Sequence, residues 1–121
     1  MLMPYKDTVG KLTIGVGRNL TDRGISRLES RFMLDNDING VVSDLDKHIP
    51  WWDSLTDARQ RVLADMCFNM GIGTLLTFTA TLSLTKAGDY EGAAQAMLDS
   101  QWAHQVGRRA ETLAGMMKRG I

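Results

Sequence analysis

Asp7 and Thr13 are the two residues of this 121-residue chain whose types and spacing best suit acid-base chemistry. Asp7 directly precedes a segment broken by Gly10, Gly15 and Gly17, where a backbone without side chains lets a ligand approach closely. A carboxylate there can take a proton from water, and a Thr hydroxyl returning across a hairpin can hold that water beside it. Taken alone, however, an Asp followed by Thr and Gly is more often turn chemistry, with the carboxylate accepting hydrogen bonds from nearby amides.

The segment that positions these two residues has the only β pattern in the sequence. From Lys11 to Leu20, the apolar residues Leu12, Ile14 and Val16 alternate with small or polar ones. The glycines interrupt this alternation. The pattern predicts a short, twisted hairpin.

A long helix is predicted to follow. Ser26 and Glu29 have the spacing of a capping box, in which each side chain binds a free backbone amide of the first helical turn. Apolar residues then recur at steps of three and four, at Leu28, Phe32, Ile38, Val41, Val42, Leu45 and Ile49. This spacing predicts an amphipathic helix that runs to Pro50.

The remaining sequence predicts a series of helices. Thr56 is an expected N-cap and Gly71 an expected C-cap of one helix. Shorter helices are predicted at about 74–78, 79–87, 89–100 and 108–118. The expected fold class is therefore mainly α (α+β), with a hairpin lobe at about 1–25, a connecting helix at about 26–49 and a helical lobe at about 50–121. A cleft between the lobes is the expected ligand site.

Composition narrows the range of functions. The 44% apolar content of 121 residues suits a single domain. Fourteen basic residues balance fourteen acidic ones, so a nucleic-acid partner is not expected. No stretch reaches the roughly twenty apolar residues needed to span a bilayer, and no secretory signal is visible, which predicts a soluble protein folded in a reducing cytoplasm.

The chain resembles the phage-type lysozymes, the glycoside hydrolase family of T-even phage lysozyme and its relatives. Three sequence blocks, which follow one another in order along the chain, carry the resemblance. The first block runs from Tyr5 to Thr21 and is similar to their catalytic hairpin. The second runs from Met66 to Leu82, and the third from Asp89 to Ala110. The resemblance implies a lysozyme-like fold and hydrolysis of the glycan strands of bacterial peptidoglycan, with no cofactor. It also implies action on the cell wall after release from the host cytoplasm.

The resemblance also assigns roles to individual residues. It makes Asp7 the carboxylate that activates water and Thr13 the residue that holds this water, in an inverting mechanism. It places Asn19, Phe68 and Thr81 at sugar-contacting positions. Phe68 is equally well explained as a core residue, and Thr81 as a cap or a back-bonding residue of its helix.

The general acid is the part of the site that this sequence does not provide. In the family it is a Glu on a helix that precedes the aspartate, and such a position would lie before Met1. Asp22, Glu29, Glu91 and Glu111 are poor replacements by position. The chain is therefore expected to be a slow enzyme, a peptidoglycan-binding module without activity, or a fragment begun at an internal Met. The absence of this helix is expected to uncover apolar surface around Phe68, Met70 and the C-terminal helices, which predicts self-association or reduced stability.

The remaining reactive or aromatic residues are interpreted as structural. His48 and His104 are too far apart in sequence to argue for a metal site. Cys67 is expected to be an inert core thiol. Trp51, Trp52 and Trp102 are expected to pack the lobe.

Overall fold

A computed structural model describes residues 3–15 and 18–121 of the chain. The described residues divide into two compact units, Met1–Asn36 and Asp37–Ile121. The helix α2 passes from the first unit into the second. The predicted mainly helical fold is confirmed, with a small antiparallel sheet near the N-terminus.

The first unit contains a three-stranded antiparallel sheet in the order β1-β2-β3. Its strands are β1 (Tyr5–Lys6), β2 (Leu12–Ile14) and β3 (Arg18–Asn19). The sequence predicted the β2-β3 part of this sheet but not β1. Val16, which belonged to the predicted alternation, lies outside the described residues. The short helix α1 (Leu20–Arg23) follows directly on β3.

Helix α2 (Arg27–His48) begins at the predicted capping box. The Ser26 N–H donates to Glu29 Oε1 over 2.8 Å, and the Glu29 N–H donates to Ser26 Oγ over 3.1 Å. The predicted burial of its apolar face holds only for the end of the segment, where Leu45 and Ile49 are buried. The apolar residues nearer the start of α2 are exposed.

The second unit is an all-helical assembly around one core. After a 3-10 turn at Trp52–Ser54, its helices are α3 (Asp57–Met70), α4 (Ile72–Leu75), α5 (Thr79–Ala87), α6 (Tyr90–Leu98), α7 (Gln101–Val106) and α8 (Arg108–Arg119). Thr56 caps α3 and Gly71 ends it, as predicted. Helix α6 packs mainly against α8 and α5. The largest fully buried side chains of the core are those of Leu45, Ile49, Leu63, Met66, Leu75, Met97 and Met117.

No helix in the described part of the chain is both long enough and apolar enough to cross a membrane.

Candidate functional site

Asp7 lies at the first position of the turn that joins β1 to β2. The Gly10 N–H donates to the Asp7 carbonyl over 3.0 Å, and Gly10 has a φ of 82°, the left-handed conformation that a three-residue hairpin loop requires. The carboxylate closes the same turn, because its Oδ1 accepts from the N–H groups of Val9 (3.0 Å) and Lys11 (2.8 Å). Asp7 is therefore a turn residue, as its local sequence suggested, and the turn engages one of its two carboxylate oxygens.

Thr13 occupies the middle of the central strand. It pairs with Tyr5 on one side and with Asn19 on the other. Its hydroxyl donates to the Lys11 carbonyl over 3.2 Å, which leaves the oxygen lone pairs as acceptors. At 3% exposure, it is the one buried residue among those described in this unit.

The register of the sheet places Asp7 and Thr13 on the same face. Paired residues of an antiparallel sheet project to one side, and so do residues two apart on a strand. Asp7 continues β1 by donating its N–H to the Lys11 carbonyl over 2.8 Å, so Thr13 is its diagonal neighbour across the hairpin. The Cα atoms of diagonal neighbours are about 7–8 Å apart, and their Cβ atoms are somewhat closer. The structure therefore brings together the two residues that the sequence singled out.

Asn19 shares this face of the sheet, but its side chain is engaged within the unit. Its Oδ1 accepts from the Asp22 N–H over 3.2 Å, and its Nδ2 donates to Asp22 Oδ2 over 3.0 Å. Asn19 is thereby the N-cap of α1. Lys11 Nζ binds the other Asp22 oxygen over 3.1 Å. A sugar-binding role for Asn19 stays a prediction.

Neighbouring groups in the hairpin unit lower the pKa of the Glu29 carboxyl. Arg18 Nη1 donates to Glu29 Oε1 over 2.7 Å. This hydrogen bond, followed by those with the Ser26 backbone and hydroxyl, lowers the pKa of Glu29 to about 2. A group held ionised in this way cannot donate a proton at neutral pH.

Phe68 and Thr81 belong to the helical unit, on α3 and α5. Phe68 is 48% exposed, which disfavours the core interpretation of this residue. Thr81 is buried and lines a cavity of about 620 Å³, whereas Phe68 does not line it. The same unit contains Trp102 and Phe78. The centroids of their rings lie 6.4 Å apart in an edge-to-face arrangement.

Two other types of site find no support in the described residues. These residues contain no group of three or more His, Cys, Asp or Glu side chains that could hold a metal ion. Burial, and then the charge of Asp44, raises the pKa of the buried Cys67 thiol, so its nucleophilic thiolate form is disfavoured.

The hairpin sheet followed by a helical unit defines a mainly helical, lysozyme-like fold. The sequence model of the family described as Phage lysozyme matches residues 1–120. The chain belongs to the phage lysozyme family.

Three relatives illustrate the range of this similarity. The chain is 33% identical over 122 residues to the SAR-endolysin of Escherichia phage Mu, an alignment that covers 97% of this chain and 66% of the relative. It is 31% identical over 110 residues to the pre-baseplate central spike protein Gp5 of Enterobacteria phage T4, covering 87% of this chain and 19% of the relative. Probable T4-type lysozyme 1 of Dictyostelium discoideum is 24% identical over 145 residues, covering 96% and 85%. The chain thus spans less than two thirds of the length of the two phage proteins.

Proposed function

We propose that this chain hydrolyses the glycan strands of bacterial peptidoglycan, with Asp7 as the base that activates water. The observation that carries the proposal is the position of Asp7 and Thr13 as diagonal neighbours on one face of the hairpin sheet, in a member of the phage lysozyme family. The names of the relatives, an endolysin and a T4-type lysozyme, support the same activity.

The hairpin geometry suits the activation of a water molecule. One water can lie between the side chains of these two residues, donating one hydrogen to Asp7 Oδ2 and the other to Thr13 Oγ1. Its lone pair then points away from both residues, toward the sugar carbon under attack. The turn supports this arrangement, because Oδ1 is fixed by two backbone amides and the carboxylate cannot rotate freely. Thr13 is shielded from bulk water, which helps to order a water bound beside it.

Hydrolysis by this route also needs a general acid to protonate the leaving oxygen. Glu29 is unsuitable because its pKa is about 2, and Asp22 is held by Lys11 and Asn19. On the family resemblance, we assign the acid to a Glu on a helix that would precede Met1. With that acid in place, water attacks from the opposite face and the reaction inverts the anomeric configuration.

Purified peptidoglycan is the substrate that tests this proposal. We expect the 121-residue chain to release soluble fragments at least about a hundredfold more slowly than a version extended by an N-terminal helix carrying a Glu, since a positioned acid supplies about that factor or more. NMR of the fresh products should show the inverted anomer. Equal rates for the two proteins would refute the assignment of the acid, and retained configuration would refute the mechanism.

A peptidoglycan-binding protein without activity is the alternative outcome. Co-sedimentation with peptidoglycan distinguishes it: a chain that binds but releases no fragments in either version is a binding module. We further propose that the enzyme is made in the host cytoplasm and reaches the wall after a membrane lesion. Neither nucleic acid nor stable membrane insertion is part of the proposed function.

A further inference from the structure

The backbone of Lys11 connects Asp7 with Thr13. The Lys11 N–H donates to Asp7 Oδ1 over 2.8 Å, and its carbonyl accepts from the Asp7 N–H over 2.8 Å. The same carbonyl accepts from the Thr13 hydroxyl over 3.2 Å. The hydrogen bonds that orient the two residues therefore meet at one backbone segment at the start of β2. A displacement of this segment would move both residues together.

The other edge of this segment is held by a side chain of α1. Lys11 directs its backbone groups toward β1, so the next residue, Leu12, directs its N–H toward the opposite edge of β2. Strand β3 pairs with β2 only through Arg18 and Asn19, so Leu12 lies beyond the end of β3. The Leu12 N–H donates instead to Thr21 Oγ1 over 2.8 Å. The Thr21 hydroxyl thus takes the place of a strand carbonyl.

A second connection between α1 and β2 is weaker. Asp22 binds Lys11 Nζ over 3.1 Å, but both side chains are partly exposed, and an ion pair of this kind contributes little. The long Lys side chain also loses more conformational freedom than the short, β-branched Thr side chain when it is held in place. Asn19, which accepts from the Asp22 N–H over 3.2 Å, attaches the start of α1 to the end of β3. The hydroxyl of Thr21 is therefore the main contact through which α1 fixes β2.

We infer that Thr21 is a positioning residue for the pair Asp7 and Thr13. The inference rests on the proposed function for the reaction and adds a residue that the reaction needs. Thr21 acts through Leu12, whose amide it binds, and through the neighbouring backbone of Lys11. A misplacement of reacting groups by about 1 Å can cost about a hundredfold in rate, whereas a single exposed hydrogen bond contributes little to stability. Loss of the Thr21 hydroxyl should therefore affect the rate more than the melting temperature.

Amide hydrogen exchange, measured by NMR on the full chain, tests the positioning without hydrolysis. Thr21→Val removes the acceptor and keeps the side-chain volume, whereas Thr21→Ser keeps the hydroxyl. We expect Thr21→Val to speed the exchange of the Leu12, Lys11 and Val9 amides about fivefold, the factor that one neutral hydrogen bond supplies. Val9 is the most informative amide, because its partner is Asp7 Oδ1 rather than Thr21. Parental exchange at Lys11 and Val9 would show that Thr21 does not hold the pair.

The rate of fragment release from peptidoglycan is measured in the version extended by a helix carrying a Glu. We expect Thr21→Val to lower kcat at least about tenfold, with KM changed less than about twofold, and Thr21→Ser to stay near the parent. Thr112→Val is the matched control, because Thr112 is an exposed helical Thr that binds the Arg108 carbonyl in the other unit. It should keep the parental kcat.

A Thr21→Val protein with parental kcat, or with a loss in KM alone, overturns the inference, and so does a loss that Thr21→Ser shares. These outcomes leave the proposed function intact. An extended protein that is inactive with Thr21 in place would instead refute the proposed function, and the exchange measurement would still show whether Thr21 holds Asp7 and Thr13.

Discussion

The turn fixes Asp7 through one carboxylate oxygen, which makes Asn and Ala informative replacements. Asn keeps an acceptor at the Oδ1 position but cannot take up a proton, whereas Ala also loses the bonds to Val9 and Lys11. In the extended protein, we expect Asp7→Asn to fold normally and to lose at least about a hundredfold in rate. Asp7→Ala should lose activity and also about 1 kcal/mol of stability. Fragment-release assays and thermal melts separate the two effects, and an active Asn variant would mean that Asp7 is not the base.

Thr13 is tested by replacing its hydroxyl without changing the volume it fills. Val matches Thr in shape but cannot accept a hydrogen bond from water, whereas Ser keeps the hydroxyl and loses a methyl group. We expect Thr13→Val to lower the rate of the extended protein about tenfold, the effect of roughly one hydrogen bond, and Thr13→Ser to stay near the parent rate. If Val is as active as Thr, the bridging water is held by another group.

At the scale of single residues, the sequence singled out Asp7 and Thr13 because a local motif carries both, and their catalytic roles stay a prediction. Their common face depends on a register that spans only a few residues. Trp102 was interpreted as plain packing, since nothing in its local sequence reveals whether a buried indole finds an acceptor. Such information depends on contacts between α7 and residues distant in the chain, such as Phe78.

The capping box of α2 is also the point where the hairpin attaches to the helix. Arg18 on β3 binds Glu29 over 2.7 Å and the Gly24 carbonyl over 3.3 Å. The pKa of Glu29 falls from 4.5 to about 2, so the folded state favours the ionised form more than the unfolded state does. The resulting stability is fully present above pH 4.5 and is lost as the pH falls from there toward 2.

Glu29→Gln should therefore lower the melting temperature at pH 6, with the difference from the parent shrinking below pH 4.5 and vanishing near pH 2. Thermal melts across this range measure it. Asp37→Asn on the same helix is the control, because Asp37 is exposed and lies outside the capping box. A Glu29→Gln effect that is constant with pH would show that the charge of Glu29 does not stabilise the fold.

Arg59 joins α3 to the end of α8. Its Nε and Nη2 donate to the carbonyls of Met117 (2.7 Å) and Lys118 (3.1 Å), and its guanidinium lies 3.4 Å from the centre of the Tyr90 ring. Arg59→Ala should destabilise the chain by about 2–3 kcal/mol, from the lost charged hydrogen bonds and the cation–π contact. Lys cannot reproduce the planar fork, so Arg59→Lys should recover only part. Denaturant unfolding tests this, and a full recovery by Lys would show that charge alone matters.

Element by element, the sequence was most informative where helices are long or capped. The two ends of α3, the start of α2 and the end of α5 at Gly88 follow from capping residues next to them in sequence. Helices α1 and α7 have four and six residues, too few for apolar spacing to reveal them. Strand β1 was missed because its two residues, Tyr5 and Lys6, show no alternation and are defined only by pairing with β2.

At the scale of the whole chain, the most unusual surface is the first half of α2. Every residue from 30 to 40 is exposed, including Phe32, Met33, Leu34 and Ile38. A helical stretch of this length is marginal in water unless tertiary packing supports it. An exposed apolar strip of this kind usually marks an interaction surface. This strip on α2 is a different surface from the one around Phe68 and Met70 for which the sequence predicted self-association, and it is a second candidate for contacts between copies.

The charges on α2 favour a second copy of the same helix as the partner. Leu28, Arg31, Asp35 and Ile38 follow one another at steps of three and four, the spacing of a coiled-coil seam. In an antiparallel pair centred on Met33, Leu28 of one copy lies beside Ile38 of the other. Arg31 then lies beside Asp35, twice in each pair. These residues are exposed in the single chain and available for such contacts.

We expect sedimentation to show a dimer whose population rises with concentration. Arg31→Asp and Asp35→Arg should each weaken it, because each places like charges opposite one another in both contacts of the pair. The double variant restores opposite charges and should dimerise like the parent, which a purely apolar association would not require. Phe32→Glu should also give a monomer, whereas Ile121→Glu, at another exposed apolar residue, should not. A chain that stays monomeric at high concentration, or single charge variants that dimerise like the parent, would show that α2 is not the surface through which copies associate.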